Sequence, residues 1–69
     1  MKVKINFDPD GAYGYPKGET LEASQLVEDY IDCLNEVEDA DTILFLRSQP
    51  IEKAVDFVAD MWKLDYDFI

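Results

Sequence analysis

Nucleophilic, acid–base and metal chemistry each need particular side chains, and this chain is short of most of them. It has no His and a single cysteine, Cys33, so neither a Ser–His nor a Cys–His couple can be assembled. What it has in excess is carboxylate: sixteen Asp and Glu against six Lys and Arg, a formal charge of −10 over 69 residues. Two carboxylates can run general acid–base catalysis when burial or a like charge sets their pKa values apart, and nothing in the pattern marks such a residue. Asp8-Pro9-Asp10-Gly11 has the opening of a calcium loop, but its spacing to Gly is wrong and no bidentate Glu follows. Asp39 and Asp41 offer at most a loose divalent site. The expectation is a non-enzyme with no cofactor and no metal, in which Cys33 acts as a small hydrophobe beside a helix stripe.

The carboxylates are not spread evenly. Nine of the sixteen fall between Glu19 and Asp41, and no Lys or Arg occurs between Gly18 and Arg47. Across the same stretch Ala23, Leu26, Val27, Tyr30, Ile31, Leu34 and Val37 recur at helical spacing. The pattern predicts a helix over roughly 20–38, with Thr20 as its N-cap. Glu22, Asp29, Asp32 and Glu36 then share one line of that helix, with Gln25 completing it and Glu28 on its flank. At about 1.5 Å of rise per residue the carboxylates at 29, 32 and 36 are spaced by roughly 4.5 and 6 Å. That is comparable to the spacing of charge along a nucleic-acid backbone. Like charges three and four apart oppose a helix, and anions at its C-terminal end oppose the dipole. A row placed against folding in this way points to binding, whereas a merely solvated face would more often carry Lys there.

The remaining segments supply a scaffold. Lys2-Val3-Lys4-Ile5-Asn6-Phe7 alternates as a strand with one apolar face. Asp8-Pro9-Asp10-Gly11 is turn chemistry, and Ala12-Tyr13-Gly14-Tyr15 is the expected return strand, with both tyrosines on one face. Thr42-Ile43-Leu44-Phe45-Leu46-Arg47 is rich in β-formers and apolar at both parities, which predicts a strand covered on both sides. A second helix begins at Pro50, with an apolar arc that includes Phe57, Met61 and Trp62. Asp65 to Ile69 alternates and reads as an extended arm or a frayed helix end. The expected fold is one α+β domain over residues 1–69. Its order is ββαβα: a three-stranded antiparallel sheet with the first strand central and two helices on one face. A third strand apolar on both faces would need a second cover, which suggests a homodimer. Phe57, Met61 and Trp62 are candidates for that dimer face or for a partner's.

A chain this acidic is repelled by nucleic acid and by anionic membranes and attracted to basic proteins. Tyr13 and Tyr15, just ahead of the acidic helix, suit an interface, where tyrosine is a favoured anchor. The absence of a signal-peptide pattern or a long apolar run makes the cytoplasm the expected compartment.

On Asp10-Gly11 at a turn, Tyr13 and Tyr15 on the return strand, Lys17-Gly18, Leu21 opening an acidic helix, and an apolar segment ending near Arg47, the chain resembles the phage uracil-DNA glycosylase inhibitors. These are small acidic proteins that imitate DNA. The resemblance covers residues 8–47; the Glu-Ser-Ile edge strand of some members is absent. It implies phosphate mimicry by Glu22, Glu28, Asp29, Asp32 and Glu36, and a pocket rim at Tyr13 and Tyr15. It also implies a basic nucleic-acid-binding enzyme or defence complex as partner, in the host cytoplasm for a phage-encoded chain, with no direct contact to nucleic acid. Anti-CRISPR and anti-restriction proteins share the size and charge. Tyr15-Pro16-Lys17 also resembles a segment of immunity proteins against basic nucleases. A structural or adaptor module that dimerises through Phe57 and Trp62, its acidity serving solubility alone, stands as the alternative.

Overall fold

A computed structural model describes residues 1–7 and 18–69. The elements run β1 (Lys2–Phe7), β2 (Thr20–Glu22), α1 (Ala23–Asp32), α2 (Ala40–Ser48), α3 (Ile51–Trp62) and β3 (Asp65–Phe68). The three strands form one antiparallel sheet in the order β2-β1-β3. The α+β class and the central first strand are therefore as the sequence leads one to expect. The expected turn at 8–11 and return strand at 12–15 lie outside the described residues.

The sheet separates its faces by strand period. Val3 and Ile5 are fully buried, whereas Lys2 before them and Lys4 between them are exposed. Leu21 is paired with Val3, and Tyr66 with Ile5, so they share the inner face. Against that face pack Leu26, Val27, Tyr30 and Ile31 of α1 and Ala54, Val55, Val58 and Trp62 of α3, with Leu46 of α2 joining at one side. The outer face is polar. Lys2 lies opposite Glu22, and Lys4 opposite Asp67 and Thr20, pairings that favour a solvated sheet surface. Asn6 Nδ2 donates to Asp67 Oδ2 at 2.8 Å beside an irregularity in the β1–β3 register.

Three expectations need correction. Residues 42–47 are helical, within α2, and β3 at 65–68 takes the third place in the sheet. An apolar run at both parities is compatible with either structure, and the sheet position goes to the segment that alternates. With that strand gone, so is the argument for a second chain over the sheet, whose outer face is polar. The predicted helix over 20–38 is also shorter than its stripe. Thr20-Leu21-Glu22 pairs with β1, because a β1 edge left open would strand its backbone groups. Thr20 is thus a strand residue, and α1 starts at Ala23, whose N–H reaches Met1 O at 2.9 Å. At the other end α1 stops at Asp32. Asn35 Oδ1 there accepts the N–H groups of Val37 and Glu38 at 2.8 and 2.9 Å, while Asp39 Oδ2 accepts the Asn35 N–H at 2.8 Å. This reciprocal capping starts a new turn leading into α2. Finally, Pro50 is the N-cap of α3, one position before its first turn.

Helix α3 ends on Lys63 in the left-handed region, at φ 57° and ψ 38°. Its N–H bonds Asp60 O at 3.3 Å, and the Leu64 N–H bonds Ala59 O at 2.9 Å, with Leu64 and Ala59 both buried. That is a Schellman stop with its apolar contact, in which a side-chain-bearing residue holds a glycine conformation. Lys63→Gly is expected to stabilise the fold by about 0.5–1 kcal/mol. Urea denaturation checks it, with the midpoint rising at an unchanged slope.

Candidate acidic and apolar interface

The helix boundaries redistribute the expected row of carboxylates. Glu22 closes β2 and lies 3.5 Å from the Met1 amino group. Asp29 and Asp32 stay on the outer side of α1, where Gln25 Nε2 donates to Asp29 Oδ1 at 2.8 Å. Glu28 is turned to α2: Arg47 holds its two carboxylate oxygens at 3.0 and 3.4 Å. Both side chains are about half exposed, so the pair contributes no more than about 1 kcal/mol, and it partly neutralises Glu28 as a phosphate mimic. Glu36 lies beyond the break and leaves the line altogether. Tyr13 and Tyr15 lie outside the described residues.

The break also alters the electrostatic reading. Glu36, Glu38, Asp39 and Asp41 precede α2 or occupy its first turn, where the dipole favours anions. Their placement supports that helix, contrary to the expectation that they oppose one. Only Asp29 and Asp32, in a last turn of α1 that holds no basic residue, still sit against the dipole.

Two of the expected apolar contacts are accessible. Met61 is 54% exposed and Phe57 is half-buried. Trp62 is 6% exposed and belongs to the core, its ring edge-on to Tyr30 at 5.3 Å, so it is unavailable to a partner. From Trp62 a series of rings leads outward. Tyr30 meets Phe57 at 6.1 Å, and Phe57 meets Phe45 of α2 at 5.6 Å. Phe45 is 45% exposed, its neighbour Leu44 68%, and Val37 85%. Sequence reasoning missed Leu44, Phe45 and Val37 as surface residues. The signal was there: four successive apolar residues at 43–46 exceed what one buried helix face can use.

A second polar corner lies on the opposite flank of α3, where Asp56, Asp60, Lys63, Asp65 and Tyr66 line a shallow cleft. Burial raises the Tyr66 phenol above its ordinary 10.0, helped by the negative charge of Asp56 and by a long hydrogen bond donated to Asp56 Oδ1 at 3.5 Å. A folded-state pKa above the unfolded one means that neutral Tyr66 favours the fold below pH 10, an advantage lost as pH rises through the folded value. In Asp56→Asn, the Tyr66 ionisation is expected to move down towards its ordinary 10.0, leaving only the part due to burial. Near-ultraviolet titration of tyrosinate absorbance reads this directly.

Among the described residues there is no group of three or more potential metal ligands, and no helix is long and apolar enough to cross a membrane. Compared with family models, curated proteins and solved structures, the chain matches none of them.

Proposed function

We propose that this protein is a small non-enzymatic inhibitor that docks on the basic nucleic-acid-binding face of another protein and occludes it by imitating DNA. One observation carries the reading. Between Asp32 and Asp41 the surface presents Asp32, Glu36, Glu38, Asp39 and Asp41 with no cation among them, and the exposed apolar residues Val37, Leu44 and Phe45 lie within and just after that stretch. Charge of one sign steers encounter with a cationic face. Adjacent apolar side chains supply the contacts that hold a complex. Asp29 and Asp32 extend the anionic surface along α1. The natural targets of such a surface are enzymes or defence complexes that themselves grip DNA or RNA, and an immunity protein against a basic nuclease works by the same physics. The exposure of Leu44 and Met61 also favours a second reading, an adaptor that assembles through apolar contact with charge playing no part.

Affinity capture from a bacterial lysate at low salt, followed by a salt gradient, separates the two. The inhibitor reading expects a basic nucleic-acid-binding protein that elutes at moderate salt and is displaced by added duplex DNA. A captured protein indifferent both to salt and to DNA would overturn it and favour the adaptor.

A further inference from the structure

We propose that the open edge of β3 takes up an extended segment of a partner protein as a fourth, antiparallel strand, and that a Lys or Arg of that segment is held by carboxylates of α3. The site lies on the other flank of α3 from the Asp32–Asp41 surface and does not depend on the inhibitor reading.

The sheet order β2-β1-β3 puts β3 at an edge. The Ile69 N–H bonds Lys2 O at 3.0 Å, so Lys2 and Ile69 are a hydrogen-bonded pair. By the alternation of an antiparallel ladder, Lys4 and Asp67 are the next such pair. The peptide groups of Tyr66 and Phe68 therefore face away from β1, and among the described residues no strand lies beyond them. Each offers one donor and one acceptor, in the spacing that an added antiparallel strand uses.

Charge selects the occupant. A residue added opposite Tyr66 shares its face of the sheet, the face on which α3 packs. There the cleft lined by Asp56, Asp60, Lys63, Asp65 and Tyr66 has a volume of about 330 Å³, room for one long side chain. It sets three carboxylates against the single ammonium of Lys63, and Asp56 and Asp60 lie one turn apart on α3. A Lys or Arg fits both parts of it. The aliphatic stem lies along Tyr66 and Phe68, whose rings meet edge-on at 5.3 Å, and the charged head reaches the α3 carboxylates. A second copy does not fit. Antiparallel pairing of β3 with β3 would set Asp65 and Asp67 of the two copies side by side, on molecules that each carry −10, and like charges opposite one another destabilise a sheet. The same two acids blunt the edge against indiscriminate pairing.

The test titrates the isotopically labelled full-length protein, at low salt, with a synthetic peptide of alternating Lys and Thr and with two analogues of equal charge. One analogue is N-methylated at every Lys, the residues whose peptide groups would face Tyr66 and Phe68. The other is N-methylated at every Thr, whose peptide groups would face away. The parent and the Thr-methylated peptide are expected to bind alike, with amide shifts centred on Tyr66 to Ile69 and slowed hydrogen exchange at Tyr66 and Phe68. The Lys-methylated peptide should bind at least about tenfold more weakly, having lost its donors to β3. Asp56→Asn combined with Asp60→Asn, a change confined to exposed side chains, should weaken the parent peptide severalfold. Unchanged binding in that variant would overturn selection by α3. Equal binding of all three peptides, or shifts centred on Asp32 to Asp41, would reduce the effect to charge and overturn the added strand while leaving the inhibitor reading standing. Absence of binding by the parent peptide would overturn it too. Concentration-dependent shifts at Tyr66 and Phe68 without peptide would assign the edge to a second copy, against the proposal.

Discussion

Trp62→Ala is expected to cost about 3–5 kcal/mol and leave the fold much weakened at room temperature. A domain of this length has a total stability of roughly 3–10 kcal/mol, so one large core side chain represents much of the total. Trp62 comes from the last turn of α3 and meets Tyr30 of α1 edge-on at 72°. Truncation removes that contact and opens a cavity at the joint between the two helices that cover the sheet. The joint cannot readily close, because Leu64 and Ala59 beside it are fixed by the stop of α3. Circular dichroism during urea denaturation checks the result. Trp62→Phe should recover a large part of the loss, since a ring still reaches Tyr30. A loss below about 1 kcal/mol in Trp62→Ala would contradict the packing described.

The second large effect concerns association. Replacing Asp32, Glu36 and Glu38 together by Lys should lower the affinity for a captured basic partner by about a hundredfold at low salt, mainly through a slower on-rate. The side chains of all three are exposed and take no part in the capping by Asp39 and Asn35, which Glu38 joins through its backbone N–H alone, so the fold should lose no more than about 1 kcal/mol, chiefly from cations set ahead of α2. A matched control reverses Glu19, Glu52 and Asp65, exposed residues away from that turn. Both variants change net charge equally. If position matters, only the first set loses the partner and flattens the dependence of affinity on salt. Equal weakening by the control would reduce the proposed face to a net-charge effect, and unchanged binding by both would remove charge from the mechanism. Surface plasmon resonance across a series of salt concentrations reads rate and slope together.

Much of the scaffold was legible because its residues obey one period at a time. Val3 and Ile5 alternate with lysines, and Leu26, Val27, Tyr30 and Ile31 make a single stripe. Both sets are buried as that pattern demands. Residues 43–46 obey neither period, and β propensity favoured the wrong choice. What decides the matter is distant: Asp65 to Phe68 alternates, places acids on an edge strand and pairs with β1. Tertiary competition of this kind is invisible within a window. The end of α1 has a signal in the sequence, since Asn35 followed by Asp39 is a cap pair, but an apolar stripe continuing through Leu34 and Val37 hides it. For the candidate site, the carboxylates were evident from composition alone. Their line was not, because it assumed an unbroken helix. The apolar half was missed with α2 itself, since residues assigned to a covered strand cannot be counted as surface.

The pairing of Val3 with Phe68 bears on how the protein is made. The central strand is synthesised before all three helices, yet one of its two neighbours is translated after them. While the intervening helices leave the ribosome, the described strand beside β1 is the three-residue β2, too little sheet to stand alone. One edge of β1 therefore waits for a partner that arrives more than sixty residues later. Closing so long a loop makes the final step slow relative to helix formation. During that wait an unpaired edge of β1 is open to other chains, and a nascent molecule this acidic has its own charge to keep like molecules apart. The carboxylates proposed to attract one partner would in that interval serve to keep copies of the same chain from meeting.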